Sequence, residues 1–116
     1  MSFTYRRVLE AITRVRGVRG AMLVAAQDGL VVADALMEGV RGNAVAALAA
    51  SLTRKVANAA AASGVGTPHF IQLQGTDGTL LSVPFRQDLL LVAVADADVN
   101  VGLTRLEMLR AVEAMP

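Results

Sequence analysis

The chain has 116 residues, a net charge of +1 and no cysteine, with 54% hydrophobic and only 3% aromatic residues. The length predicts a single domain over residues 1–116, whose core must be built from aliphatic side chains and alanine. The near-neutral charge gives no reason to expect nucleic acid or an anionic membrane as a partner, and the lack of cysteine excludes disulfides and thiolate metal sites.

Apolar residues at helical spacing predict a first helix from Phe3 to Arg16, in which Arg6 and Glu10 are four apart and can pair. Charges interrupt this apolar pattern, so it does not resemble a signal peptide. No stretch approaches the roughly 20 apolar residues of a membrane span. We therefore expect a soluble, cytoplasmic protein. Its mean hydropathy of +0.51 is high for a monomer and indicates a buried oligomer surface.

Two apolar runs follow, Ala21–Ala26 and Leu30–Leu36, separated by Gln27-Asp28-Gly29. An Asp-Gly pair between apolar runs is a strong signal for a β-hairpin. The first run is uninterrupted and is expected to be buried on both faces, whereas Asp34 makes the second run less buried.

The sequence from Gly42 to Gly64 is rich in alanine and predicts a long helix, with Asn43 as its N-cap. Its larger apolar residues predict a core-facing stripe: Val45, Leu48, Leu52 and Val56, with Ala49 and Ala59. The opposite face carries Asn43, Ala47, Ala50, Arg54, Ala57, Asn58 and Ala61. Two interpretations stay open, an ordinary alanine-rich surface helix and a helix with the core on one side and a partner on the other.

Three further strands are predicted at Phe70–Gln74, Thr79–Phe85 and Leu89–Ala95. Pro84 lacks a ladder donor, so a bulge or a strand end is expected near it. The final helix is predicted to run to about Met115, with Asp98 as its N-cap. Three leucines give this helix its apolar side: Leu103, Leu106 and Leu109.

The predicted fold class is α+β, with a five-stranded antiparallel sheet in the order 2-1-5-4-3 and helices on both faces. The two most apolar strands, Ala21–Ala26 and Leu89–Ala95, are placed side by side at the centre because they have no polar face. This leaves Phe70–Gln74 at one edge, where an open strand beside a small-residue helix predicts a homodimer contact.

The sequence does not assemble an active site. His69 is the only histidine, and Asp96 and Asp98 are explained by helix capping and a favourable helix dipole. Gly64 and Gly66 lead into a strand and lack the third glycine of a dinucleotide-binding loop. We expect no enzymatic activity, no cofactor and no metal site.

The segment Val18-Arg19-Gly20-Ala21, the apolar strand and Asp28–Ala33 resemble the opening hairpin of the roadblock/dynein light-chain family. The order of three helices and five strands, the length and the small-residue second helix resemble this family over nearly the whole chain. The resemblance implies a profilin-like or longin-like sandwich that dimerises through second helices and edge strands. Many bacterial members act with a small Ras-like GTPase, as in the gliding-motility (Mgl) system, and the family has no conserved catalytic set.

The leading expectation is therefore a non-enzymatic homodimer that binds a small Ras-like GTPase and modulates its nucleotide cycle. A scaffold or light-chain-like adaptor and a small-ligand sensor are the alternatives. The predicted dimer interface comprises Ala47, Ala50, Ala57, Ala61, Phe70, Gln72 and Gln74. The predicted partner-binding residues are Arg41, Arg54, Lys55 and Asn58.

Overall fold

The computed structural model describes residues 4–116. Three helices and five strands are present: α1 (Tyr5–Thr13), β1 (Val18–Ala25), β2 (Val31–Leu36), α2 (Gly42–Ala62), β3 (Ile71–Gln74), β4 (Thr79–Phe85), β5 (Leu89–Ala95) and α3 (Val101–Ala114). The predicted order of elements is confirmed, and the bounds predicted for β4 and β5 match residue for residue. Phe3, the predicted start of the first helix, lies outside the described residues.

Both predicted N-caps are wrong. Arg41, not Asn43, occupies the N-cap position of α2, and its side chain makes no capping hydrogen bond. In α3 the cap is Asn100, whose Oδ1 accepts a hydrogen bond of 2.9 Å from the backbone N–H of Leu103. An aspartate two residues earlier lies outside the first helical turn and cannot reach these free N–H groups.

The five strands form one antiparallel sheet in the order β2-β1-β5-β4-β3, as predicted. The continuous apolar runs of β1 and β5 occupy its centre, where both of their faces are covered. Burial is the physical reason for this order, since a strand without a polar side is most stable between two neighbours and two layers.

Pro84 causes no bulge, because it pairs in regular register with Leu90. The pairing of β4 with β3 ends at Ser82 and Ile71, so Pro84 lies where β4 has a neighbour on one side only. Proline is tolerated at such an edge position because no second strand needs its missing N–H group. The alternative expectation, a strand end near Pro84, is thus met on the side of β4 that faces β3, where the pairing stops at Ser82.

Each face of the sheet has its own core. Helices α1 and α3 pack on one face around Leu9, Ile12, Leu81 and Met108. Helix α2 packs on the other face around a smaller cluster of Met22, Val24, Ala46, Ala49, Ala50, Leu90 and Val92. The larger side chains are thus concentrated under α1 and α3, and alanines let α2 lie close to the sheet.

The turn between β1 and β2 fixes this close approach. Gly29 has a φ of 71°, and a methyl group on it would lie 2.8 Å from Cα of Ala47 in α2. Asp28 completes the turn by accepting a hydrogen bond from the backbone N–H of Leu30. Glycine is required at position 29 for its left-handed backbone and also for the space that it leaves.

Candidate partner-binding surfaces

The orientation of α2 differs from the prediction. Ala46, Ala49 and Ala50 are buried against the sheet, whereas Leu48 is 70% exposed. The predicted core stripe therefore lies along one flank of the helix, where Val45, Leu52 and Val56 are half-buried. Ala50, predicted at the dimer interface, is only 1% exposed within the single chain and is a core residue. Small residues face the sheet because they permit the closest backbone approach.

The C-terminal part of α2 extends beyond its sheet contacts. Ala57 lies on the same helical face as Ala46 and Ala50, yet it is exposed, as is Ala61. Ala47 is exposed as well and lies beside the β1–β2 turn. These three predicted interface residues are therefore accessible, although they do not share one face with the leucine flank of the helix.

The exposed flank of α2 continues onto the sheet. Leu73 pairs with Leu80, so both side chains are on the face that carries α2, and Leu73 is 53% exposed. Val45 and Leu80 both pack against the same alanine-rich core cluster and connect the helix flank to the outer strands. We name this apolar region the α2–β3 surface: Val45, Leu48, Leu52, Val56, Ile71, Leu73 and Leu80.

Other predicted residues of the β3 edge point elsewhere. Gln72 pairs with Leu81 and Gln74 with Thr79, so both glutamines are exposed on the face of α1 and α3. Phe70 precedes β3 and is half-buried in that same layer, with the Arg105 guanidinium 5.1 Å from its ring centroid. Phe70 therefore connects α3 to the start of the edge strand by a cation–π contact.

The predicted partner-binding residues play different roles. Arg54 donates hydrogen bonds from Nη1 to the backbone oxygens of Ala26 and Gln27, at 3.2 and 3.1 Å, and so holds the β1–β2 turn against α2. Lys55 and Asn58 are exposed and make no side-chain hydrogen bond or ion pair to another described residue. Arg41 is exposed at the start of α2. Only Arg54 has a structural function that sequence reasoning missed.

Residues 4–116 contain no group of three or more histidine, cysteine or acidic side chains that could hold a metal ion. His69 is exposed just before β3. None of the helices in this described part is long and apolar enough to cross a membrane. The features that stand out among the described residues are apolar surfaces suited to protein contacts.

Residues 4–95 match the family model described as Roadblock/LC7 domain. The chain belongs to the Roadblock/LC7 family. An uncharacterized protein of Methanocaldococcus jannaschii, MJ1340, is 36% identical to this Roadblock/LC7 chain over 107 residues, which cover 92% of each sequence. The expected family resemblance is thereby confirmed.

Solved structures agree with this assignment. The chain is similar to an MglB protein described with a tetrameric arrangement, at a TM-score of 0.85 and 25% identity, covering 98% of this chain and 89% of that one. It is also similar in fold to profilin II of Acanthamoeba castellanii, at a TM-score of 0.62 and 13% identity, covering 95% and 94%. The predicted profilin-like sandwich is confirmed.

Proposed function

We propose that this Roadblock/LC7 chain is a homodimeric, non-enzymatic regulator that binds a small Ras-like GTPase in the cytoplasm. The observation that carries the proposal is the α2–β3 surface, which leaves Leu48 and Leu73 largely exposed beside an open strand edge. Burying such side chains contributes about 1.5–3 kcal/mol each, which a second copy of the chain would supply. The family resemblance supplies the GTPase as the partner class.

The dimer contact is proposed to join two α2–β3 surfaces around a two-fold axis, so that the two β3 edges pair. Of the accessible residues predicted at the interface, Gln72 and Gln74 belong to the β3 edges that are proposed to pair. Ala47, Ala57 and Ala61 lie off the leucine flank and are proposed for the rim of the contact alone. Ala50 is withdrawn because it is buried in the chain's own core. Phe70 is proposed to contribute indirectly, by positioning the start of β3, because its ring is held beneath the guanidinium group of Arg105.

Sedimentation of the purified protein tests the dimer first. We expect a dimer at micromolar concentration, and Leu48→Glu should convert it to a folded monomer because a charge would be buried in an apolar contact. The control is Leu30→Glu, an equally exposed leucine outside the α2–β3 surface. A wild-type monomer, or equal effects of the two variants, would overturn the proposed dimer.

The GTPase contact is proposed to involve charged and polar residues that border the apolar flank of α2, namely Lys55, Asn58 and, at the helix start, Arg41. Arg41 and Lys55 each lie seven residues from Leu48, so they are on nearly the same side of the helix as that leucine. Lys55 is an exposed cation that no carboxylate among residues 4–116 neutralises, so it is available to an acidic partner. Two copies in a dimer would present these residues as one composite platform. Arg54 supports that platform indirectly by holding the β1–β2 turn.

Binding to a small Ras-like GTPase of the same organism, taken from the neighbouring genes if one is encoded there, tests the regulator. We expect GTP-loaded and GDP-loaded forms to differ in affinity by at least about tenfold, since a partner shifts a switch only through differential affinity. Lys55→Glu should weaken binding without changing the dimer, whereas Arg16→Glu, an exposed cation outside α2, should not. Equal affinity for both forms would favour the scaffold or adaptor instead.

We also propose that the protein alone is not an enzyme. His69 is an isolated exposed side chain, and acyl-transfer or hydrolytic chemistry needs a base held by a second group next to a nucleophile. His69→Ala should therefore fold normally and retain partner binding. A loss of function in this variant with unchanged stability would make His69 a site residue.

A further inference from the structure

The outer side of α3 exposes leucines where a solvated helix would carry polar residues. Leu103, Leu106 and Leu109 are each more than a third exposed, and the buried side of the helix is formed instead by Thr104, Met108 and Ala111. The apolar side that these three leucines give the helix is therefore not the side that packs on the sheet. Small and slender side chains again occupy the inner face, and the leucines remain on the surface.

Two shallow depressions accompany these leucines. The first lies between α1 and α3 and is lined by Ala11, Val15 and Leu103, with Arg14 and Glu107 at its rim. The second lies on the other side of α3 and is lined by Gly102, Arg105, Leu106 and Leu109. Since Ala11 and Gly102 have almost no side chain, space is left on both sides of the leucine row. We name this region, from Ala11 to Leu109, the α1–α3 surface.

The charges around this surface are mainly positive. Arg7 and Arg14 are exposed along one side of α1, and their side chains make no hydrogen bond or ion pair among residues 4–116. Arg105 lies over the ring of Phe70, a contact that holds its guanidinium in place without neutralising it. Glu107 is already engaged by Arg110 at 2.9 Å. Unneutralised arginines therefore border the leucine row on both sides, and Glu113, seven residues after Leu106, adds one exposed carboxylate at the C-terminal end of the row.

From this charge distribution we infer that the α1–α3 surface binds an acidic amphipathic helix of another protein. Leucines of such a helix would fill the two depressions, and its carboxylates would pair with Arg7, Arg14 and Arg105. A second copy of the same face fits less well, because it would bring the unneutralised arginines of two equally basic surfaces together. This contact is independent of the α2–β3 surface, which lies on the opposite face of the sheet.

The probe for this contact is a synthetic helical peptide of about 18 residues, with leucines along one stripe and glutamates on both sides of it. A matched peptide carries lysines in place of the glutamates. NMR titration of the intact protein should move signals of Leu103, Leu106 and Leu109, with at least about tenfold tighter binding of the glutamate peptide. Absence of such shifts, or equal affinity for the two peptides, would overturn the inference.

Two variants separate the apolar and ionic parts of the contact. Leu106→Glu should weaken binding of the glutamate peptide by at least about tenfold, and Arg14→Glu should do so while improving binding of the lysine peptide. Leu73→Glu, on the opposite face, is the control and should leave peptide binding unchanged. If Leu106→Glu instead reduced self-association, the occupant would be a second copy. Tighter binding to phosphatidylglycerol vesicles than to the peptide would indicate a membrane surface, and either outcome would contradict the inference.

Discussion

The two edges of the sheet carry similar apolar side chains but present their backbones differently. Beside β2, Leu30, Val32 and Met37 are more than half exposed, and at β3 Leu73 is exposed to a similar degree. The backbone of β2, however, is covered at one position, because Arg6 Nη1 donates a hydrogen bond of 3.3 Å to the carbonyl oxygen of Asp34. No arginine or lysine among residues 4–116 covers the backbone of β3 in this way.

The register of β2 adds a second obstacle to strand pairing. Leu23 pairs with Ala33 and Val24 with Val31, so Val32 is an extra residue that forms a bulge. Bulges and charged side chains are common means of blocking an edge, whereas β3 is short, regular and uncharged. The comparison teaches that exposed apolar residues alone do not define a pairing edge. A free backbone is also required, and only β3 combines the two.

The largest effect is expected from a change in the β1–β2 turn, which should lower the stability of the fold. Gly29→Ala should lower the free energy of unfolding by about 3 kcal/mol, because it adds left-handed backbone strain and a steric clash with Ala47. Gly39→Ala is the matched control. Gly39 has a φ of 91° but no atom near the added methyl group, so strain alone should cost about 1 kcal/mol. Equal losses in urea unfolding would mean that the turn does not depend on the approach to α2.

A charge on Leu73, the exposed apolar residue of β3, is expected to weaken the proposed homodimer. Leu73→Glu should raise the dissociation constant of the proposed homodimer about hundredfold, since the carboxylate loses its hydration in the contact. Val32→Glu places the same charge on the opposite edge and should change the constant by less than about threefold. Analytical ultracentrifugation measures both, and a larger effect at Val32 would reverse the assignment of the two edges.

A smaller effect is expected at the arginine that joins α2 to the hairpin. Arg54→Ala removes two hydrogen bonds to carbonyl oxygens and should lower the free energy of unfolding by about 1 kcal/mol. Lys55→Ala, its neighbour without such contacts, should change stability by less than about 0.5 kcal/mol. Chemical denaturation distinguishes the two, and equal stabilities would show that Arg54 does not hold the turn.

The smallest effect on stability is expected at Arg6, whose side chain hydrogen-bonds to the backbone of β2. Arg6→Ala should change the free energy of unfolding by less than about 0.5 kcal/mol, because the ion pairs that it removes are exposed. It should nevertheless increase association beyond the dimer at high concentration, since the carbonyl group of Asp34 becomes available. Arg7→Ala is the control on the same helix. Unchanged light scattering for Arg6→Ala would mean that the bulge at Val32, and not Arg6, prevents association through the β2 edge.

Much of this architecture could be predicted from the sequence. The uninterrupted apolar runs of Ala21–Ala26 and Leu89–Ala95 determined the central strands and, with two short connections, the strand order. Asp28-Gly29 determined the hairpin turn. Such features depend on local spacing and on the need to bury both faces of a strand, and both can be read without coordinates.

Only the tertiary structure determined which side of α2 and which side of α3 face the sheet. Both helices have apolar residues around most of their circumference, so the largest side chains did not indicate the inner face. Packing placed Ala46 and Ala50 inward and Leu48 and Leu106 outward. For α2 the physical reason is distance, since Gly29 of the β1–β2 turn lies against the backbone of Ala47 and keeps the helix close to the hairpin. The partner surfaces of this protein follow from that choice.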